Sequence, residues 1–266
     1  MCIRDRFTDG QTVKTNSIYL GFQHRGVTNI ICADTYQMRH NPFKFISELS
    51  RVLLSCQNII VLLSNRGRKI LFPIFYRISK KKNIYHYAIG GKLAEEVKNN
   101  ETWKKYINSF NGNWVESMLL VDKLKALGVN NAVYIPNFKC INILNENELL
   151  QQFDKPYKFC MFSRVMKEKG VEDAINAIKK VNEKKGYRVA QLDIYGPIES
   201  EYKERFNQVL VEGGGYSNYC GVVSPNDSVK ILREYYMLLF PSFWKGEGMP
   251  GTVIDAFSAG LPIRCV

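Results

Sequence analysis

The chain has 266 residues, of which 45% are hydrophobic and 23% charged, a composition typical of a folded protein rather than a disordered one. Its apolar stretches are far shorter than the roughly 20 residues that a membrane-spanning helix needs, and no charged leader with an apolar segment opens the chain, so neither a span nor a secretory signal is expected. The 7 cysteines form no Cys-x-x-Cys pair and the chain has only 3 histidines, which excludes a zinc-ligand spacing and favours reduced thiols in a cytoplasmic protein.

The net charge of +12 is unevenly distributed along the chain. Residues 1–140 contain 21 Lys and Arg against 9 Asp and Glu, whereas residues 141–266 contain 16 of each. This asymmetry predicts an anionic partner for the first half: a phospholipid surface, a diphosphate substrate or nucleic acid. Arg66, Arg68 and Lys69 follow one predicted strand and Lys80, Lys81 and Lys82 precede another, so both groups are expected at the surface.

Short β-rich runs alternate with helical patterns in the first half, which predicts βα units and a parallel sheet. A glycine-containing loop at 8–12 is followed by a helical run. The predicted strands are 29–33, 58–63 and 83–89, and the predicted helices are 42–54 and 114–127. In the last of these helices the predicted core residues are Met118, Leu119, Leu124 and Leu127.

The composition changes after Phe138. Residues 140–156 are rich in Asn and Glu and end in Pro, which predicts a linker between a first domain at 1–139 and a second at 157–266. The second domain is predicted to contain strands at 158–162, 190–195, 217–222 and 237–240 and helices at 171–181, 201–211 and 252–259. Both domains are expected to be incomplete, because a strand should precede the opening loop and the last strand is cut short.

A glycine-rich segment at 240–256 joins the end of a predicted strand to a helix that begins near Thr252. The first turn of a helix favours an anion, and ligands of open α/β sheets bind outside the carboxyl ends of the strands. Glu247 and Asp255 flank the turn, and carboxylates accept hydrogen bonds from sugar hydroxyls. An Asp inside an otherwise apolar helix favours a binding role over a plain surface connection.

A second segment, 162–173, places Arg164 and Lys169 in a loop between a predicted strand and a predicted helix, at the same edge of the sheet. A fixed guanidinium and a mobile ammonium together suit a diphosphate, whose negative charge grows as it leaves. A basic loop alone is weak evidence, because such charges are usually solvated, but the glycine-rich segment strengthens it.

Four motifs of the second half occur together in a recognisable order. They are Ser163-Arg164 to Lys169-Gly170, the segment 192–196, Gly221-Val222, and Glu247 to Asp255. Their order and intervals resemble those of the retaining glycosyltransferases of family 4, the group 1 enzymes with the GT-B fold. In the first half, Gly10, Gln11 and Lys14 resemble the first glycine-rich loop of that family's acceptor domain. Gly90, Gly91 and the segment 135–138 resemble its later loops, particularly in capsule and exopolysaccharide enzymes.

The resemblance implies an α/β protein with two Rossmann-like domains facing each other across a cleft, the acceptor-side domain first and the donor-binding domain second. It implies that Arg164 and Lys169 bind the donor diphosphate and stabilise it as a leaving group, and that Glu247 contacts the transferred sugar. These three are the implied catalytic residues. Asp255 would contact the ribose, the backbone of Gly248 and Met249 the sugar-phosphate, and Gly196 and Val222 the nucleobase.

Three positions depart from the family pattern. Asp255 stands where the family usually has Glu, which shortens the arm that would reach the ribose, and Ser163 replaces the usual Gly. Many members place a His at the end of an acceptor-domain strand, whereas His86 falls inside a predicted strand. We therefore expect His86 to be structural.

The predicted reaction is transfer of a sugar from a nucleotide-diphosphate sugar to a glycan or lipid-linked acceptor in bacterial surface polysaccharide synthesis, at the cytoplasmic face of the membrane. No metal and no cofactor are expected, because Arg164 and Lys169 can supply the positive charge. Two alternatives stay open: a nucleotide-sugar epimerase of the same fold, and a basic nucleic-acid-binding module. Nucleic acid is not expected as a partner, since no recognised reader motif is present.

Overall fold

The computed structural model describes residues 10–139, 143–149 and 153–265. The chain divides into two compact units, one made of Met1–Cys140 with Lys245–Pro250 and the other of Ile141–Trp244 with Gly251–Val266. The glycine-rich segment is therefore split between the units. Parts of the predicted opening loop (8 and 9), the predicted linker (140–142 and 150–152) and the last residue lie outside the described residues.

The first unit is built on a parallel sheet. Within residues 10–139 its strands are β1 (Asn58–Val61), β2 (Asn83–Ala88), β3 (Gly112–Val115) and β4 (Ala132–Tyr134), hydrogen-bonded in the order β1-β2-β3-β4. The helices are α1 (Gly10–His24), α2 (Gln37–His40), α3 (Pro42–Ser55), α4 (Asn65–Ile78), α5 (Leu93–Lys98), α6 (Glu101–Asn108) and α7 (Met118–Ala126). A helix thus lies between each pair of consecutive strands, as expected for βα units.

Side chains cap the helices of the first unit where the sequence offers Asn or Ser. Asn41 accepts a hydrogen bond from the Lys44 backbone N–H at 3.1 Å and is followed by Pro42 at the first helical position. Asn100 caps α6 in the same way, and Ser117 caps α7. Each cap satisfies one of the N–H groups that a helix start leaves unpaired.

The predicted strand at 29–33 and the predicted helix at 114–127 differ from the structure in detail. Residues 29–33 form no strand, since their backbone pairs with no strand in the described part of the chain. Residues 114 and 115 belong to β3, because their backbone pairs with β2 and β4, and Ser117 starts the helix only at Met118. That shift turns Met118 and Leu119 outward, 56% and 63% exposed, while Leu120, Val121 and Leu124 are buried instead.

The residues predicted as a glycine-rich opening loop are helical from Gly10 onward. The Gln11 side chain donates to the Leu62 carbonyl at 3.1 Å, just beyond the end of β1. Lys14, one turn later, is 3% exposed. These contacts place the start of α1 against the carboxyl end of the sheet.

The second unit is built on another parallel sheet. Over residues 153–265 its strands are β5 (Tyr157–Phe162), β6 (Ala190–Tyr195), β7 (Ser217–Tyr219), β8 (Met237–Phe240) and β9 (Ile263–Cys265), in the order β7-β6-β5-β8-β9. The helices are α8 (Val171–Lys185), α9 (Lys203–Glu212), α10 (Ser228–Leu232) and α11 (Gly251–Ser258). The predicted α/β class, with two parallel sheets in the described chain, is confirmed.

Adjacent residues of β5 point to opposite faces of the second sheet. Met161 packs with α8 and α9, whereas Cys160 packs with the apolar residues of α10 and α11. A sheet covered on both faces needs apolar side chains in both directions, which explains the continuous apolar run of this strand. From the predicted linker, Leu144 packs against the α10–α11 cluster and its N–H donates to the Ser258 carbonyl at 3.1 Å.

A buried polar cluster lies beneath the first sheet. Arg68 was predicted at the surface but is 8% exposed, because its guanidinium reaches inward to the Glu96 carboxylate at 2.9 Å. His86 is fully buried in β2, with Nδ1 3.2 Å from the Asn113 Oδ1 and its ring edge-on to Phe72. Burial, and then the nearby Arg68, lower the pKa of His86 from 6.5 to about 3. The expectation of a structural histidine agrees with this position.

The first prediction concerns stability against pH. His86 stays neutral in the folded state but takes up a proton near pH 6.5 when the chain unfolds, so stability should fall as pH drops below 6.5. Between pH 7.5 and 5.0 this residue alone should destabilise the fold by about 2 kcal/mol. Urea unfolding of wild type and His86→Gln at both pH values tests it. The wild type should lose more stability than the variant, and equal losses would contradict the assignment.

Candidate active site

The carboxyl ends of the second sheet bring several predicted donor residues to one edge. In the order of the strands in the sheet, Val222 lies in the loop after β7, Gly196 in the turn after β6, and Arg164 and Lys169 in the loop after β5. Backbone bonds join these loops: the Gly196 N–H donates to the Gly221 carbonyl at 2.8 Å. The position agrees with the general location of ligands in open α/β sheets.

Glycine permits the close approach of the loops after β5 and β8. Gly170 has φ +70° at the start of α8, and a Cβ there would overlap the Pro241 carbonyl. The Phe243 N–H donates to the Glu168 carbonyl at 2.9 Å, which ties the same two loops together. Only glycine fits both the left-handed conformation and the available space.

The two basic residues of the loop differ in exposure. The Arg164 side chain is exposed, while Lys169 is half-buried with its Nζ 5.7 Å from the centre of the Phe240 ring. A guanidinium in solvent beside an ammonium over an aromatic face can neutralise an anion that binds at this edge.

The turn after β6 is equally tight. Gly196 has φ +133°, and a Cβ there would overlap the Ser163 carbonyl. The Tyr219 hydroxyl donates to the Gly196 carbonyl at 2.9 Å. Val222 is 55% exposed, so an apolar surface borders this turn, of the kind that a nucleobase could contact.

Asp255 occupies the inner face of α11. It is 4% exposed and lies among Ala256 and Ala259, which are also buried as predicted. A buried carboxylate requires hydrogen-bonding or charged partners, so its position is constrained by the interior of the unit. Its contact with a ribose stays a prediction.

Glu247, Gly248 and Met249 belong to the first unit, where Lys245–Pro250 packs against the predicted acceptor-side glycines. The Gly91 N–H donates to the Gly246 carbonyl at 3.1 Å. The Asn137 side chain, from the predicted loop at 135–138, donates to the Met249 carbonyl at 2.7 Å.

Both partners of this contact need glycine. A Cβ at Gly91 would lie 2.9 Å from the Glu247 carbonyl oxygen, and one at Gly248 would lie 3.1 Å from the Gly90 Cα. Real Cβ atoms essentially never come within 3.0 Å of another heavy atom and seldom within 3.4 Å, so the absence of a Cβ lets the two backbones pack. The structure therefore brings together Gln11, Lys14, Gly90, Gly91, Glu247, Gly248 and Met249 in one unit.

A buried ion pair lies next to this backbone contact. The Lys14 Nζ is 3.7 Å from the Glu116 Oε1, and the two side chains are 3% and 4% exposed. Lys14 also donates to the Phe138 carbonyl at 3.3 Å and lies over the Phe138 ring at 4.1 Å. Burial lowers the pKa of Lys14 to about 8 and raises the pKa of Glu116, and the attraction between the two opposes both shifts.

Glu116 was missed by the sequence reasoning. The prediction of a helix over 114–127 made it an ordinary helix-surface carboxylate, whereas the structure places it directly after β3 and before the Ser117 cap. The available signal was the pair Trp114-Val115, residue types enriched in strands, followed by a carboxylate and a capping Ser.

Residues 156–263 match the model of the glycosyl transferases group 1 family. This stretch contains four of the five strands of the second sheet, β5 to β8, and reaches the first residue of β9; it also contains Arg164, Lys169 and Asp255. The match lies in the second half of the chain and agrees with the glycosyltransferase resemblance of that half.

A further comparison agrees with it. The chain is 29% identical over 141 residues to an uncharacterized glycosyltransferase of Methanocaldococcus jannaschii, an alignment that covers 50% of this chain and 33% of the relative. The chain therefore aligns with only about a third of the length of this curated relative.

Solved structures show the fold. The pneumococcal O-GlcNAc transferase GtfA, in complex with UDP and GlcNAc, superposes with a TM-score of 0.64 at 16% identity, over 84% of this chain and 45% of that one. The lipopolysaccharide outer core galactosyltransferase WaaB superposes with a TM-score of 0.61 at 15% identity, over 99% of this chain and 78% of that one. These superpositions confirm the predicted GT-B fold.

The second prediction tests the tight packing of the Lys169-Gly170 turn. Gly170 and Gly186 stand at opposite ends of α8 with φ of +70° and +73°, but a Cβ at Gly186 would meet nothing within 4 Å. Gly186→Ala should cost about 1 kcal/mol, the strain of the left-handed conformation alone. Gly170→Ala should cost about 3 kcal/mol or more, because the Pro241 backbone must also move. Equal shifts of the urea midpoint in the two variants would show that the loops do not pack tightly.

Proposed function

We propose that this protein transfers a glycosyl group from a nucleotide-diphosphate sugar to a glycan or lipid-linked acceptor, with retention at the anomeric carbon, in bacterial surface polysaccharide synthesis. The observation that carries the proposal is the Arg164–Lys169 loop at the carboxyl edge of the second sheet, within the stretch that matches the group 1 family. The retaining mechanism is supported by the resemblance of the Glu247 to Asp255 motif to family 4.

In the proposed reaction the bond between the anomeric carbon and the diphosphate oxygen breaks, and a new bond to an acceptor hydroxyl oxygen forms. The leaving diphosphate gains negative charge, which Arg164 and Lys169 would stabilise without a metal or cofactor. Glu247 would bind the transferred sugar, and Asp255 the ribose. The departing phosphate or solvent takes up the proton of the acceptor hydroxyl.

The epimerase alternative is not favoured, because the family match and the compared proteins are transferases. An epimerase would release an altered free sugar, whereas a transferase forms a new glycosidic bond. Nuclear magnetic resonance of the product distinguishes the two and also reports whether the anomeric configuration is retained. The GtfA structure contains UDP and GlcNAc, so UDP-sugars are the first donors to test, followed by GDP- and ADP-sugars.

The third prediction tests the diphosphate site in the full-length protein. Arg164→Ala and Lys169→Ala should each weaken nucleotide-diphosphate binding and lower turnover by about 10²-fold or more, the scale seen when preorganised charge stabilisation is removed. Lys167→Ala is the matched control, since Lys167 is an exposed cation in the same turn. Calorimetric titration with UDP and turnover of the best donor measure the effects. Wild-type turnover in all three variants, the control included, would overturn the assignment.

We also propose that the first unit binds anionic membrane surfaces peripherally, as would suit a lipid-linked acceptor. The charge excess of residues 1–140 supports this, as do two large apolar side chains on α3, Phe43 and Leu54, which are 86% and 83% exposed. Exposed apolar side chains beside basic ones favour binding at a lipid interface. Within the described residues, no helix is long and apolar enough to cross a bilayer.

The three lysines at 80–82 differ in exposure, which decides the variants that test membrane binding. Lys80 and Lys81 are exposed, but Lys82 is partly buried and donates to the Cys56 carbonyl at 2.6 Å, so its removal would also disturb the fold.

The fourth prediction is that Lys80→Gln/Lys81→Gln reduces co-sedimentation with anionic phosphatidylserine vesicles. Each lysine near the surface contributes about 1 kcal/mol, and binding should weaken between low and physiological salt. Lys184→Gln/Lys185→Gln, an exposed pair in the second unit, should have no effect. Equal binding to neutral and anionic vesicles, or an equal loss in both variants, would refute the proposal.

A further inference from the structure

The Glu116 carboxylate meets the backbone of two segments that are far apart in the sequence. The backbone N–H groups of Gly90 and Met249 lie close enough to lower the pKa of this carboxyl, against the effect of burial. Gly90 follows the end of β2, and Met249 lies in Lys245–Pro250, which packs within the same unit. A single carboxylate therefore joins three segments of the chain.

The Glu116 carboxylate packs against the backbone of Gly248. A Cβ at Gly248 would lie 2.8 Å from the Glu116 Oε2, closer than real side chains come. The carboxylate thus fills the volume that the glycine leaves open. Because Gly248 packs against this oxygen and the Met249 N–H faces the same carboxylate, a displacement of Glu116 would release the two residues together.

Lys14 keeps the carboxylate charged in this buried place. A buried carboxylate is unfavourable without compensation, and the Lys14 ammonium at 3.7 Å supplies an opposite charge. The ammonium is itself held by the Phe138 carbonyl and lies 5.2 Å from the centre of the Tyr87 ring. A charged acceptor makes stronger hydrogen bonds to backbone N–H groups than a neutral one.

We infer that Glu116 is a positioning residue: charge-balanced by Lys14, it holds the backbone of Gly248 and Met249 and thereby fixes Glu247. The inference rests on the proposed function, because Glu247 is there assigned to the transferred sugar. Glu116 itself touches no substrate in this scheme. Its removal should loosen the site for the sugar while leaving the Arg164–Lys169 loop of the second unit unchanged.

The expected kinetic signature separates the two parts of the donor. In the full-length protein, Glu116→Gln and Glu116→Ala should lower kcat with the sugar donor by about 10- to 100-fold, because small misplacements of catalytic groups have effects of this size. Binding of UDP alone, measured by calorimetry, should stay within about threefold. Asp122→Asn removes the same charge from an exposed carboxylate on α7 and should change neither quantity.

A double-variant cycle tests the role of Lys14. Lys14→Met alone leaves a buried carboxylate without its counter-charge, whereas Lys14→Met/Glu116→Gln restores neutrality, so the double variant should melt at a higher temperature than Lys14→Met. If the double variant is no more stable than the single one, the pair does not balance charge as inferred.

Hydrogen exchange tests the positioning role without relying on activity. The backbone amides in the peptide 245–252 should exchange about tenfold or more faster in Glu116→Gln than in wild type or Asp122→Asn. Unchanged exchange in a folded Glu116 variant overturns the inference, as does a parallel loss of UDP binding and turnover, which would indicate general destabilisation. If exchange rises but neither wild type nor variants transfer sugar, the proposed function fails while Glu116 still positions the segment.

Discussion

The arrangement of the first unit's loops depends on one buried charge. Each ion of the Lys14–Glu116 pair would be several kcal/mol less stable if buried alone, so each residue stabilises the buried position of the other. Once the pair is in place, the carboxylate has oxygens available for the backbone N–H groups of Gly90 and Met249. The start of α1, the turn after β2, the end of β3 and Lys245–Pro250 therefore depend on the same contact.

The second unit holds its loops by shape rather than by charge. Gly170 and Gly196 each place backbone against backbone, at distances that no side chain would permit. The loop that contains Arg164 and Lys169 is thus bound by neighbours on both sides, the turn after β6 and the loop after β8. A cation on a constrained backbone loses less entropy when it meets an anion than one on a mobile loop.

Not every cation of the first unit lies at its surface. Lys14 and Arg68 belong to buried ion pairs, and Lys82 donates to the Cys56 carbonyl. These cations stabilise the interior, where their partners are nearby and water is excluded. The two ion pairs contribute no net charge, so the excess of +12 over residues 1–140 is carried by the other residues of that half.

The sequence by itself predicted the βα order of the second unit, the parallel sheets and the loop with Arg164 and Lys169, because these follow from local periodicity, capping residues and glycine placement. It did not reveal β3, since a strand of four residues resembles the start of the helix that follows it. That error concealed Glu116. Only the tertiary structure decided that Lys14, Glu116 and Met249 meet. Lys14 and Glu116 are 102 positions apart in the sequence, and Glu116 and Met249 are 133 positions apart. No local pattern of residues predicts such contacts, which arise only when the sheet brings its strand ends together.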